Sequence, residues 1–280
     1  QMAFLRTTYK CFLKRPFLLI YIAVFSLLYS IVHMLNPLMG LLENLGALST
    51  DSWTDSMVYI SKELYTIPNI SVILPAAALV AVILAVLSGV LTAGFMNLYY
   101  ETLNDSRDKI HWMILDGIKK FFLKISIVYF QFYLSVVTLV LLIPLATVPS
   151  IILAQKAIEN NSENFFTTGF LTTLTLVIIF LALAFVAMAF IFRFPSIVYF
   201  KKRPIEKSKN VVATAYWRYF APVCLLVGLL LGTEYLLLTI KRNVLEFFTG
   251  FVFYTLLLTA VSAVSFTGYA MMLRKFKRNG

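Results

Sequence analysis

The chain has 280 residues, of which 60% are apolar and 13% charged, with a mean hydropathy of +0.86. A soluble domain carries roughly 25% charged residues, so water is excluded as the solvent for most of this surface and a bilayer takes its place. The net charge of +11 would point to nucleic acid in a soluble protein, but here the basic residues border apolar spans and no nucleic-acid partner is expected.

In chain order, residues 5–15 predict an interfacial helix, with Leu5, Thr8, Tyr9 and Phe12 on one face and Arg6, Lys10 and Lys14 on another. A first span follows over 16–35. It is longer than the roughly 7–15 residue core of a cleavable leader and ends on His33, Met34 and Leu35 instead of small residues. A polar outer loop over 43–69, with a short helix around 54–64, leads to a second span over 70–99. The next basic stretch puts Ile110, Met113, Ile114, Ile118, Phe121 and Phe122 in one apolar stripe, away from Lys109, Asp116, Lys119 and Lys120, and precedes a third span over 125–154. The fourth span covers 167–192. A third basic stretch, with Val212, Ala215, Tyr216 and Tyr219 against Lys207, Lys209, Asn210 and Arg218, leads to the fifth span over 220–240 and the sixth over 247–273.

This pattern predicts an all-α polytopic membrane protein, a single transmembrane domain over 1–280 with six transmembrane helices. Twenty Lys and Arg flank these spans on one side and 4 on the other, which by the positive-inside rule places both termini and the two basic loops in the cytoplasm of a cell-membrane protein. The unit of interfacial helix plus transmembrane hairpin occurs three times, and Lys10-Cys11-Phe12-Leu13-Lys14 echoes Lys120-Phe121-Phe122-Leu123-Lys124. Either the chain is built of three structural repeats, as many transporters are, or each hairpin carries the basic aromatic collar that any membrane-entering hairpin needs.

The stretch from Ala93-Gly94-Phe95 to Asp116-Gly117-Ile118-Lys119-Lys120-Phe121, with Phe194-Pro195-Ser196-Ile197-Val198 and Ile205-Glu206-Lys207-Ser208 beyond it, resembles the membrane domain of some bacterial glycerophosphodiester phosphodiesterases and related stand-alone six-span proteins of unknown function. The resemblance covers the layout of residues 1–275. It implies a fold and a location but no reaction, because the matched residues are membrane-entry features and the 280 residues hold no counterpart of the phosphodiesterase catalytic domain.

Glu234 is the one Asp, Glu, Lys or Arg well inside a predicted span, on the order of 6 Å from its middle. An intramembrane carboxylate costs about 2.5 kcal/mol or more on insertion scales and marks a candidate functional residue. The competing reading is a tolerated polar group, served by Lys241 seven residues on or by the hydroxyls of Thr233 and Tyr235. Gly228 and Gly232 have G-x-x-x-G spacing and are expected to pack helices, as are Gly89 and Ala93. Pro75, Pro144 and Pro149 interrupt spans and mark kinks, and Asn97 and Gln131 are expected to bond between helices. Lys119, Lys120 and Lys124 are the candidate contacts for anionic lipid, ahead of Lys201, Lys202 and Arg203.

Cys11 and Cys224 form no C-x-x-C pair, and His33 and His111 lie at opposite ends of the predicted spans, so neither a metal site nor a cofactor is expected. No H-E-x-x-H, G-x-S-x-G or Walker A sequence occurs. The expected function is therefore non-enzymatic and transport-like, or one of membrane homeostasis, with anionic lipid on the cytoplasmic face. The alternative is the membrane (permease) subunit of an ATP-driven exporter, with its ATPase on a separate chain and 109–122 as the coupling element.

Overall fold

The computed structural model describes residues 2–34, 67–106, 108–159, 165–200, 204–213, 216–239 and 244–279. The short helix expected over 54–64 lies outside them, as do Lys62, Lys201, Lys202, Arg203, Lys241 and Arg242. Among the described residues every regular element is a helix: α1 (Met2–Lys14), α2 (Phe17–Met34), α3 (Ile67–Leu103), α4 (Ile110–Glu159), α5 (Phe165–Ile191), α6 (Arg193–Tyr199), α7 (Pro204–Ala213), α8 (Tyr216–Thr239), α9 (Val244–Ser262), a single π turn (Ala263–Thr267) and α10 (Gly268–Asn279). Five helices are long and apolar enough to cross a membrane, and counting the bent pair α1–α2 as one span makes six. The chain is thus an all-helical, multi-pass membrane protein.

The contacts divide it into two compact units, one of residues 1–35, 84–131 and 184–280, the other of 36–83 and 132–183. In the second unit, Val72, Leu79, Val82, Phe170, Leu176 and Ile178 are all exposed, the surface expected of helices that face hydrocarbon. Thr138, Thr173 and Thr175 turn their hydroxyls back onto carbonyls four residues earlier at 2.8–2.9 Å, so these three donors are satisfied within their own helices. The helices run unbroken through Pro75, Pro144 and Pro149.

The first unit explains the basic stretches. Pro16 cannot donate and disfavours helical backbone at Arg15, so α1 ends at Lys14 and α2 leaves it at 93°. Arg15 then clamps the α3–α4 connection, with its guanidinium donating to the carbonyl of Ser106 at 2.7 Å, while Lys14 pairs with Asp105. The Lys14 ammonium holds the Asp105 carboxyl below its usual range. That tie persists at neutral pH and loosens as pH falls through the lowered value, with a small effect because both groups are exposed. The buried row of α1 is Thr8, Cys11 and Phe12, whereas Tyr9, expected on the same face, points outward.

The second basic stretch departs from expectation. No proline lies between Ile110 and Leu142, so nothing ends the helix where the interfacial segment was expected to stop, and α4 continues for 50 residues, about 75 Å. The third stretch forms a separate helix again, with Pro204 at its first position, where a missing N–H costs nothing. The basic stretch is therefore a helix of its own at α1 and over Pro204–Ala213, and is continuous with the long apolar helix at α4.

Side chains fill the break between α5 and α6. Pro195 has no N–H to offer the Ile191 carbonyl; Ser265, carried by the π turn, donates to it instead at 2.8 Å. Ser208 of α7 donates to the neighbouring Phe192 carbonyl at 3.2 Å. Around them Tyr99, Phe192, Phe266 and Tyr269 are buried ring against ring, with Tyr99 and Phe266 centroids 4.9 Å apart. Thr267 meets both Tyr99, at 3.1 Å, and Thr8 of α1, at 3.2 Å. A π turn widens the helix by one residue and so redirects side chains, here the hydroxyls of Ser265 and Thr267.

Candidate functional site

Helix α2 turns one row inward, Leu18, Ile22, Ser26 and Ser30, all spaced by four and all buried. Its two serines satisfy themselves on the carbonyls of Ile22 and Ser26, each at 2.9 Å. The facing row of α9 is Glu246, Gly250 and Tyr254, again at intervals of four and buried. Small residues on both rows allow the two backbones to approach: a carbon added at Gly250 would stand 3.6 Å from the Ser30 hydroxyl.

Glu234 lies on α8, about 27 Å along the helix from Tyr216, and is half-buried. Tyr254 donates its hydroxyl to Glu234 Oε1 at 2.9 Å. The tyrosine is only 2% exposed, and the ring of Tyr29 stands edge-on to it at 4.6 Å between centroids. Glu246, 7% exposed, acts electrostatically on the same phenol, as does Glu234. The tyrosine hydroxyl is thus committed to Glu234 of α8, with Glu246 two turns earlier on its own helix. Burying a carboxylate among apolar helices is costly unless it is hydrogen-bonded or paired, and Tyr254 supplies such a bond to Glu234.

The donor to Glu234 is neither of the hydroxyls expected from its own helix. Thr233 bonds back to the Leu229 carbonyl at 2.8 Å, and Tyr235 is among the most exposed side chains, so both point away. Lys241 lies outside the described residues. Set against known protein families, curated proteins and solved structures, the chain matches none. Among the described residues no three His, Cys, Asp or Glu side chains gather as a metal site would require.

The remaining candidates are dispersed. Gly228 is exposed, and no described atom comes within 4 Å of a carbon added at Gly232. Close glycine contacts lie between α3 and α4 instead: a carbon added at Gly89 would run into the Ser126 side chain, as its expected packing role requires, and one added at Gly117 would fall 2.6 Å from the Ala93 carbonyl oxygen. There Asn97 donates to the Met113 carbonyl at 2.7 Å, the interhelical bond expected of it, and Gln131 accepts from Arg193 at 3.2 Å. Lys119, Lys120 and Lys124 are all exposed on α4, and Lys120 is paired with Asp116 at 2.7 Å across one helical turn. Sequence reasoning found Glu234 but missed Tyr254, Glu246 and the serine row. The recurrence of small residues at 26, 30 and 250 was the available signal.

Proposed function

We propose that the chain is a non-enzymatic, six-span protein of the cell membrane with a transport-like role, in which Glu234 binds a proton or cation and Tyr254 positions it. The observation that carries this reading is the 2.9 Å bond from Tyr254 to Glu234, made between two apolar helices where a carboxylate is costly. Complementation of a deletion strain of the native host tests it. Glu234→Gln is expected to fail while expression and melting temperature stay near wild type, and Tyr254→Phe is expected to complement partially. Full complementation by Glu234→Gln with raised stability would reduce Glu234 to a tolerated polar group and end the reading.

In this reading both termini and the basic ends of the spans are cytoplasmic, as the distribution of 20 against 4 Lys and Arg supports. Single cysteines at Ser52 and Ser162 are expected to react with an impermeant maleimide on intact cells, and those at Ser106 and Asn210 only after permeabilisation. Ser208, the obvious choice on the same stretch, is unsuitable because it is 4% exposed and hydrogen-bonded. The alternative is the membrane subunit of an ATP-driven exporter, whose coupling element over 109–122 would be formed mostly by the first turns of α4. The resemblance to the phosphodiesterase membrane domain agrees with the proposed location and adds no reaction.

A further inference from the structure

Next to the α5–α6 break, the first unit holds an open cleft of about 240 Å³ between the end of α5, α7 and the start of α8. Its lining includes the apolar Met188, Val212 and Ala213 together with Arg193, Lys209 and Tyr216. Arg193 is half-buried, its guanidinium 4.5 Å above the Phe190 ring and bonded to the neutral Gln131 side chain at 3.2 Å. Among the described residues, Arg193 and Lys209 form no ion pair, unlike Lys14 and Lys120, each of which faces an aspartate. The cleft therefore presents two positive charges, unpaired among the described residues, beside Met188 of a helix long and apolar enough to cross a membrane.

We infer that this cleft binds the headgroup of an anionic phospholipid, its phosphate between Arg193 and Lys209 and the first carbons of its acyl chains against Met188 and Val212. The guanidinium fork matches two phosphate oxygens at once, and the ring beneath it fixes its plane. Lys209 adds a second point charge on the exposed side of the cleft. The volume suits a headgroup with its glycerol and not a whole lipid, so the tails lie along the helix surface. The site lies on elements other than those bearing Lys119, Lys120 and Lys124 and does not rest on any role for Glu234.

Native mass spectrometry of the delipidated full-length chain in mild detergent tests this, with phosphatidylglycerol, phosphatidylcholine and inorganic phosphate as separate probes. One phosphatidylglycerol is expected to bind per chain, more tightly than phosphatidylcholine, and Arg193→Gln/Lys209→Gln is expected to weaken it by about tenfold or more, since a charge-assisted bond contributes this much. Ala213→Trp, which adds bulk to the apolar lining and keeps both charges, is expected to lose the lipid as well. Neutralising Lys119, Lys120 and Lys124 together is expected to leave this one lipid bound. Should Arg193→Gln fail to fold, Arg193→Lys with Lys209→Gln keeps a charge there and is still expected to weaken binding. Equal retention in wild type and the Arg193/Lys209 variants would overturn the site. Phosphate binding as tight as phosphatidylglycerol, with Ala213→Trp harmless, would overturn the lipid as its occupant.

Discussion

Replacing Gly117 with alanine is expected to lower the melting temperature of the purified protein by about 5 °C or more, corresponding to an overpacking cost of about 1–3 kcal/mol. The added carbon would meet the Ala93 carbonyl oxygen and the Asn97 side chain, each at 2.6 Å. The first is backbone of a packed helix and cannot rotate aside, so α3 and α4 must separate, and the Asn97 bond to the Met113 carbonyl goes with them. Gly232→Ala is the control, because nothing described lies within 4 Å; it is expected to be neutral or to stabilise by up to about 1 kcal/mol through helix propensity. Thermal denaturation of both variants in one detergent decides between them. The opposite order would mean that Gly228 and Gly232 carry the helix packing after all.

The contrast between Gly117 and Gly232 shows which level of structure was legible beforehand. That the chain consists of long apolar helices was readable because length and apolarity together are what a bilayer demands. The buried faces were not readable. In a soluble helix the inward stripe is the apolar one, but here Leu27, Leu28 and Ile31 are as apolar as Leu18 and Ile22, yet exposed. Only small residues distinguish the packed face, and Ser26-x-x-x-Ser30 satisfies that pattern as well as Gly228-x-x-x-Gly232 does. That the basic stretch over 109–122 runs on without a break into the apolar helix was not legible for a related reason. Amphipathicity reports which way side chains point and is silent on whether the backbone continues, which Pro16 settles at α1 and the absence of any such residue settles at α4. Glu234 stood out alone because charge in a span is rare, while its partner Tyr254 is one aromatic among 15 tyrosines, twenty positions away on the next helix.

The Phe194-Pro195-Ser196 segment yields the second large effect, because its proline and a distant serine answer one another. Ser265→Ala is expected to destabilise the protein by about 1–2 kcal/mol, the cost of leaving a part-buried carbonyl unpaired. That carbonyl belongs to Ile191, which Pro195 cannot serve and Ser265 reaches at 2.8 Å. Pro195→Ala restores an N–H at the position where an unbroken helix would supply the bond. In that background Ser265→Ala is expected to cost under about 0.5 kcal/mol, so the two sites couple by roughly 1 kcal/mol in a double-mutant cycle. The π turn enters the same cycle. It aims Ser265 at α5 and Thr267 at Tyr99 and Thr8, so Thr267→Val is expected to weaken the docking of α1 without changing the coupling between positions 195 and 265. Melting curves of the four cycle members supply the measurement. Additive losses would show that the serine does not replace the bond the proline removes, and that the break at Phe192 is held by the ring packing of Phe192, Tyr219 and Tyr269 and by the Ser208 bond.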